Sequence, residues 1–322
     1  MTGKPVVSVV IPAYFRTEML EKAVKSFFDQ TLEYDRFEVI VVDSSPDDRN
    51  ERMIGELATR APFSLRCVRK KAEGPGPSRN LGVALTSGEF IAFMDSDCSA
   101  SPGWLDAGIR TFKPGVGIVQ GRTMPEPNGK LGIFRWYLQV EKENFLYETA
   151  NVFYRREAFE SADGFPADLM PTAKKHMGGE DVALAWNVKR NGWKSAFAAD
   201  ALVFHEVVPL SVWNWVVIKQ HFIWPSLIRS FPELRQFMFC SYFLDKAQAS
   251  IFLALVGSVV VVFVHPLGLL LLAPYVLIRG SEPSQSLRGP FRLLRVMAYA
   301  GRDVASFVIL AAGSIRFRRL LL

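Results

Sequence analysis

The order of patterns along the 322 residues predicts an α/β protein: a mixed, mostly parallel sheet flanked by helices, followed by apolar C-terminal helices. Three observations lead there. Short apolar or β-branched runs alternate with stretches of helical periodicity from Val6 onward. Two of those runs end in acids, at Asp43 and at Asp95-Ser96-Asp97. The last third contains Ile251 to Ile278, 28 residues without a formal charge. Strand–helix–strand alternation implies parallel pairing through right-handed crossovers, and such sheets bind ligands outside the carboxyl ends of their strands.

The elements follow in order. Val6 to Ile11 is a first strand, ending at Pro12-Ala13-Tyr14. Thr17 has the character of an N-cap, with Glu18 and Glu21 suited to a helix start. Leu20, Ala23, Val24, Phe27 and Phe28 then recur at helical spacing. Phe37 to Val42 is a second strand that places Asp43 at its end. A helical pattern (Glu51 to Ala58) and a strand (Leu65 to Val68) precede the turn Gly74-Pro75-Gly76-Pro77, which opens a helix at Ser78-Arg79-Asn80. The run Phe90 to Met94 delivers Asp95-Ser96-Asp97 into a loop. Further on, Gly178-Gly179-Glu180-Asp181 opens a helix, and a strand-like run from Ser195 ends at His205.

Several of these residues carry chemistry. Two carboxylates at i and i+2 after a buried strand repel one another and resist desolvation. A magnesium or manganese ion relieves both problems and commonly shares substrate phosphates; the plain alternative is a solvated Asp/Ser turn. Arg79, in the first turn of a helix, suits a phosphate, or is simply a surface arginine. Gly74 and Gly76 do not complete a Gly-x-Gly-x-x-Gly fingerprint, which argues against a dinucleotide-dependent dehydrogenase. Glu180 and Asp181 fit either a helix N-terminus that favours acids or a general base.

Taken together, Val-Val-Ile-Pro-Ala-Tyr, Val-Ile-Val-Val-Asp-Ser-Ser, Gly-Pro-Ser-Arg-Asn-Leu-Gly, Phe-Met-Asp-Ser-Asp and Gly-Gly-Glu-Asp, in this order, resemble a family 2 glycosyltransferase of the GT-A (Rossmann-like) fold. The resemblance covers roughly residues 5 to 210 and implies a nucleotide-diphosphate sugar donor, Mn2+ or Mg2+, and inversion at the anomeric carbon. Carried onto this chain, Pro12, Ala13, Tyr14, Asp43, Arg79, Asp95 and Ser96 would hold the donor nucleotide, with Asp43 at the base. Asp97 would ligate the metal with His205 and Asp95 beside it. Asp181 would be the base and Glu180 would orient it or the acceptor. There are departures: Phe15 stands where relatives often have Asn, and Asp-Ser-Ser-Pro-Asp-Asp replaces a more usual Asp-Asp-Gly-Ser. Lys219 to Trp224 partly resembles the Gln-x-x-Arg-Trp box of processive synthases, but Ile223 occupies the arginine position.

Composition bounds the rest. Three widely spaced cysteines, Cys67, Cys98 and Cys240, suggest a reducing compartment, with no disulfide framework and no zinc-type cluster. The N-terminus runs straight into a strand, so no secretory signal is expected. The 28-residue apolar run exceeds the roughly 20 residues that span a bilayer. Pro266 and Gly268 within it allow one kinked span or a hairpin turning near His265. Residues 279 to 322 hold eight Arg against Glu282 and Asp303, a net +6 equal to that of the whole chain. A hairpin keeps that basic tail on the cytoplasmic face with the catalytic domain, against anionic membrane lipids. Val304 to Ile315 reads as interfacial, being too short to span alone. The expected organisation is a catalytic domain over 1–210, aromatic and basic interfacial helices over 211–250, and a membrane-attachment region over 251–322. The expected partners are a nucleotide sugar, a glycan or lipid-linked acceptor and lipid, with no nucleic acid. A nucleotidyltransferase on a related fold and a non-catalytic nucleotide-binding membrane scaffold are the alternatives.

Overall fold

The computed structural model describes residues 4–166, 178–281 and 292–322, the last beginning with backbone alone for 292–295. In chain order the sheet and helix elements are β1 (Val7–Ala13), α1 (Thr17–Lys25), β2 (Phe37–Asp43), α2 (Arg49–Ala58), β3 (Ser64–Arg69), α3 (Pro75–Ala84), β4 (Phe90–Met94), β5 (Cys98–Ala100), α4 (Trp104–Arg110) and β6 (Val116–Pro125). Then come β7 (Arg135–Trp136), β8 (Asn151–Arg155), α5 (Arg156–Ser161), α6 (Glu180–Arg190), β9 (Lys194–His205), β10 (Val208–Pro209), α7 (Val212–Val216), α8 (Trp224–Ser230), α9 (Lys246–Phe263), α10 (Ala273–Ser281) and α11 (Arg292–Phe317). The chain divides into two compact units. The first holds residues 1–129, 137–176 and 180–207; the second holds 130–136, 177–179 and 208–322.

In the first unit an eight-stranded sheet runs β3-β2-β1-β4-β8-β6-β9-β5. The pairs β1–β2, β2–β3, β1–β4 and β6–β9 are parallel; those made by β8 with β4 and β6, and by β5 with β9, are antiparallel. Strands β2 and β4 are buried along their whole length, as continuous apolar runs are when both sheet faces are covered. Val9, Val41, Phe27 and Trp104 pack on one face, and Val10, Ile40, Phe93 and Tyr154 on the other. Register sets Ala13 opposite Asp43. The carboxyl ends of β1, β2 and β4 therefore share one edge, and the chain order reverses there between β1 and β4, the position where α/β sheets open a crevice.

The start of α1 differs from the expectation. Arg16, not Thr17, is the N-cap residue, and both Phe15 and Arg16 have left-handed backbone (φ 56° each). Two such residues make the turn off β1 tight enough that Thr17 is already helical. Its hydroxyl donates to Asn50 Oδ1 at 2.7 Å instead of capping.

In the second unit, β7 and β10 form a two-stranded antiparallel ribbon. The apolar run turns back on itself. His265 Nδ1 accepts from the Leu267 amide at 3.1 Å, and a 3-10 segment, Pro266–Leu272, returns along α9. The crossing is close because both residues there are glycines: a Cβ on Gly268 would lie 2.6 Å from the Gly257 carbonyl oxygen. Residues 251–278 are thus a hairpin. The helix α11 is longer than the apolar stretch Val304 to Ile315 suggests, because the residues before it are helical too. Two segments, Lys246–Phe263 and Val296–Phe317, are long and apolar enough to cross a membrane by length and composition. Within this unit α11 packs on the preceding aromatic segment, through Trp215 on Tyr299 and Phe222 on Phe317. The Leu244 amide donates to the Leu322 carbonyl at 2.7 Å, so α9 starts where the chain ends. Glu282 and Arg288 of the basic tail lie outside the described residues.

The glycine crossing generates a test. Gly268→Val should destabilise the hairpin by about 1–3 kcal/mol, the usual cost of overpacking. Thermal unfolding in detergent should show a lowered midpoint; an unchanged one would mean the crossing is loose.

Candidate active site

At the shared carboxyl edge of β1, β2 and β4 lies a cavity of about 590 Å³. Its wall includes Pro12, Ala13 and Tyr14 from β1 and the turn after it, Arg79 from α3, and Asp95, Ser96 and Asp97 after β4. All seven were singled out in the sequence. Arg16, Ser44, Gly74 and Ser78 also line it.

Asp43 ends β2 fully buried, behind Ser44 of the wall. Its Oδ1 accepts from the Ser45 amide (3.0 Å), the Ser45 hydroxyl (2.6 Å) and Asn50 Nδ2 (3.0 Å). Its Oδ2 has no hydrogen-bond partner among the described residues. A buried acceptor left open costs on the order of 1–3 kcal/mol, a cost that a ligand N–H would relieve.

Arg79 is 4% exposed. It donates to Asp95 Oδ1 at 2.7 Å, lies 3.8 Å from Glu180 Oε1, and covers the Phe165 ring at 5.5 Å. The expectation placed Arg79 near a base or diphosphate; here its nearest charges are carboxylates of the chain. It ties the acids after β4 to those opening α6, although 85 residues separate Asp95 from Glu180.

Asp97 sits between a guanidinium and an imidazole. Arg16 Nη1 holds its Oδ2 at 2.8 Å, and His205 Nε2 faces its Oδ1 at 3.6 Å. Burial, then the charge of Asp95, pushes the Asp97 carboxyl up; His205 and Arg16 pull it down. His205 Nδ1 lies 2.6 Å from the Glu206 carbonyl oxygen, to which it donates, and this turns Nε2 toward Asp97. The donor atoms of Asp97, Cys98 and His205 all lie within 4.8 Å of one another. This set fits a divalent cation: a desolvated carboxylate and an oriented imidazole side by side. Asp95 stands beside this set, its Oδ1 accepting from Arg79 at 2.7 Å.

Glu180 and Asp181 stand in the first turn of α6. Asp181 Oδ1 accepts from the Val182 amide at 2.9 Å. Burial, then the neighbouring Glu180, pushes the Asp181 carboxyl up to about 7, against Arg79, which lowers it. A carboxyl poised there can accept a proton near neutral pH. Sequence reasoning missed Arg16, Ser45 and Asn50. Asn50 had no local signal, since it reaches Asp43 from the next helix. Arg16 was hidden by the departure at Phe15.

Carboxylates, an arginine and a histidine gathered at the reversal point of such a sheet define a GT-A-type transferase fold. Residues 8–165 match the model described as "Glycosyl transferase family 2", and the domain they build belongs to that family. The chain is 28% identical over 215 residues to "Glycosyltransferase AglE" of Haloferax volcanii, covering 64% of this chain and 68% of the relative. It is 31% identical over 130 residues to "GalNAc(5)-diNAcBac-PP-undecaprenol beta-1,3-glucosyltransferase" of Campylobacter jejuni, covering 39% and 41%. Of several curated relatives it matches, the chain spans less than two thirds of their length. In fold it is similar to a mannosyltransferase of Pyrobaculum calidifontis solved with GDP-Man and Mn2+, with TM-score 0.61, 17% identity, and 98% of this chain and 88% of that one covered.

The buried arginine gives the site its own test. Arg79→Met removes the cation while leaving Asp95 and Glu180 facing each other. Asp95 is one-third exposed, so the loss should be about 2–3 kcal/mol, below the 3–5 typical of a fully buried pair. Denaturant unfolding at neutral pH measures it, and a loss under about 0.5 kcal/mol, the ordinary surface value, would mean the link is idle.

Proposed function

We propose that this chain is a membrane-attached, metal-dependent, inverting glycosyltransferase. It moves a sugar from a nucleotide diphosphate to a hydroxyl or phosphate of a lipid-linked or envelope-glycan acceptor. The observation that carries this reading is one cavity edged by Asp95 and Asp97 and joined through Arg79 to the Glu180-Asp181 pair. Donor-binding acids and a poised proton acceptor are thereby linked.

In this reading, the open Oδ2 of Asp43 takes an N–H of the nucleoside base, and Pro12, Ala13 and Tyr14 bound the nucleoside. Asp97 and His205 would hold Mn2+ or Mg2+, which supplies charge neutralisation at the diphosphate when bound. Asp181 accepts the acceptor proton as the acceptor oxygen forms its bond to the anomeric carbon. The bond from that carbon to the diphosphate breaks on the opposite face, which inverts the centre. Glu180, held near Arg79, keeps Asp181 in its raised range and orients it. Ser96, Arg79 and Asp95 hold the donor nucleotide in the same cavity, with Arg16 on its wall.

Membrane attachment rests on the second unit. At about 1.5 Å per residue, the 18 residues of α9 make about 27 Å, close to a hydrocarbon core. The hairpin tip exposes large apolar side chains: Phe263 is 80% exposed and Val264 76%. Nothing in water stabilises such a tip. We read α11 as interfacial, since it carries Arg302, Arg316 and buried Asp303 and packs along the aromatic segment 212–230. The +6 tail and a cytosolic supply of nucleotide sugars support a catalytic unit at the cytoplasmic face. The polyprenyl-linked substrate in the name of the Campylobacter relative supports a lipid-linked acceptor.

The test is product analysis of the full chain in lipid vesicles, screened against nucleotide sugars with manganese. Nucleoside diphosphate release is expected; pyrophosphate release would instead mean nucleotidyl transfer. In the same assay, turnover should rise with pH through about 7 as Asp181 loses its proton. Deprotonated Asp181 is the active form, so acid suppresses the rate. Asp181→Asn should abolish that rise and lower turnover by about 10²-fold or more. A variant as fast as the parent would remove Asp181 from the base role and leave Glu180 as the next to test.

A further inference from the structure

We propose that Cys98 is a third protein ligand of the cation site and biases it toward a thiophilic divalent ion, of the zinc or cobalt class, over magnesium. The inference rests on the reading of Asp97 and His205 as cation ligands and adds a residue that the sequence had offered only as a free thiol.

Topology brings the thiol there. Cys98 opens β5, and its partner in the antiparallel ladder with β9 is His205. Residues directly opposite in such a ladder carry Cβ atoms about 4.5–5.5 Å apart, a separation from which two side chains can reach one ion. Asp97 immediately precedes the strand. The contacts converge on a single oxygen: Cys98 Sγ lies 4.0 Å and His205 Nε2 3.6 Å from Asp97 Oδ1. The other oxygen of Asp97 is taken by Arg16 at 2.8 Å, which turns Oδ1 toward the sulfur and the nitrogen. All three donor atoms fall within 4.8 Å of one another. Metal–ligand bonds of about 2.0–2.3 Å close a triangle of that size with small side-chain shifts.

Donor type points the same way. Cys98 and His205 are each 1% exposed, so neither position is shaped by solvent. Asp97 lines the cavity, so the side of the site that it shares with the cavity is where a fourth, ligand-supplied donor would enter. Three protein ligands with one position left for substrate is the pattern of reactive zinc sites. Magnesium, which prefers an all-oxygen octahedron, gains little from sulfur or from one imidazole. On coordination the thiol gives its proton to solvent and binds as thiolate. The other cysteines, Cys67 and Cys240, have no place in this donor group.

The experiment is an optical titration of the purified full chain in detergent with Co2+ alone, followed by displacement with Zn2+ and Mg2+. The parent should show visible d–d bands together with a near-ultraviolet sulfur-to-cobalt charge-transfer band. Zn2+ should abolish both at far lower concentration than Mg2+. Cys98→Ser should keep the d–d bands, lose the charge-transfer band, and bind Co2+ and Zn2+ about 10-fold or more weakly. Near-ultraviolet circular dichroism checks that the variant is folded, and Cys98→Ala serves as the second variant if Ser is not accommodated. A parent that shows d–d bands without charge transfer would overturn the role of Cys98 while leaving the Asp97–His205 site standing. A charge-transfer band that survives Cys98→Ser and disappears in Cys67→Ser or Cys240→Ser would also overturn it. If the parent shows no cobalt bands and Asp97→Asn changes nothing, the cation reading falls, and this inference with it.

Discussion

Arg79 carries a permanent charge at 4% exposure. A guanidinium so placed is tolerable only with carboxylates and a ring face around it, and Asp95, Glu180 and Phe165 supply them. That one requirement organises the catalytic unit. It fixes the carboxyl end of β4 against the start of α6, and so holds Asp95 near the Glu180-Asp181 pair. It also limits how far the Asp181 carboxyl can rise, since Arg79 opposes burial and Glu180. A neutral residue at this position would leave three acids crowded at a partly desolvated edge.

The second organising feature is the short ladder between β5 and β9. It puts His205 opposite Cys98 and next to Asp97, although His205 and Cys98 are more than 100 residues apart in sequence. The Glu206 carbonyl sets the imidazole tautomer. Around this ladder Lys22 pairs with Glu126 and Glu206 at 3.0 and 2.5 Å, which anchors α1 beside the same edge. These pairs are half exposed and stabilise only modestly; their contribution is to hold the elements in register around the site.

The second unit uses a polar lock inside an apolar cluster. Asp303, on α11, is 2% exposed. It receives Arg279 Nε at 2.7 Å, Arg279 Nη2 at 2.6 Å and the Tyr275 hydroxyl at 2.8 Å. Tyr299 lies under the Arg279 guanidinium, and Trp215 under that of Arg302. Ile251, Ala254 and Val296 pack around the lock without specifying register, because aliphatic contacts are not directional. A satisfied buried ion pair specifies one register of α10 on α11 more than it adds stability.

The sequence by itself determined the α/β class, the strand-end positions of Asp43, Asp95 and Asp97, the helix start at Glu180, and the apolar hairpin material. These are local facts: periodicity, β-branched runs, glycine and proline punctuation, and charge-free length. Tertiary structure alone decided which of them meet. It joined Arg79 to Asp95 and Glu180, and set Asp97 beside Cys98 and His205. It brought Asn50 to Asp43 and Arg16 to Asp97, and extended α11 beyond its apolar stretch. It also folded the apolar run back on itself, through the approach of Gly257 and Gly268. Each of these depends on contacts between residues distant in the chain, and a one-dimensional pattern records what a residue is without recording which buried charge, backbone oxygen or strand neighbour will stand opposite it.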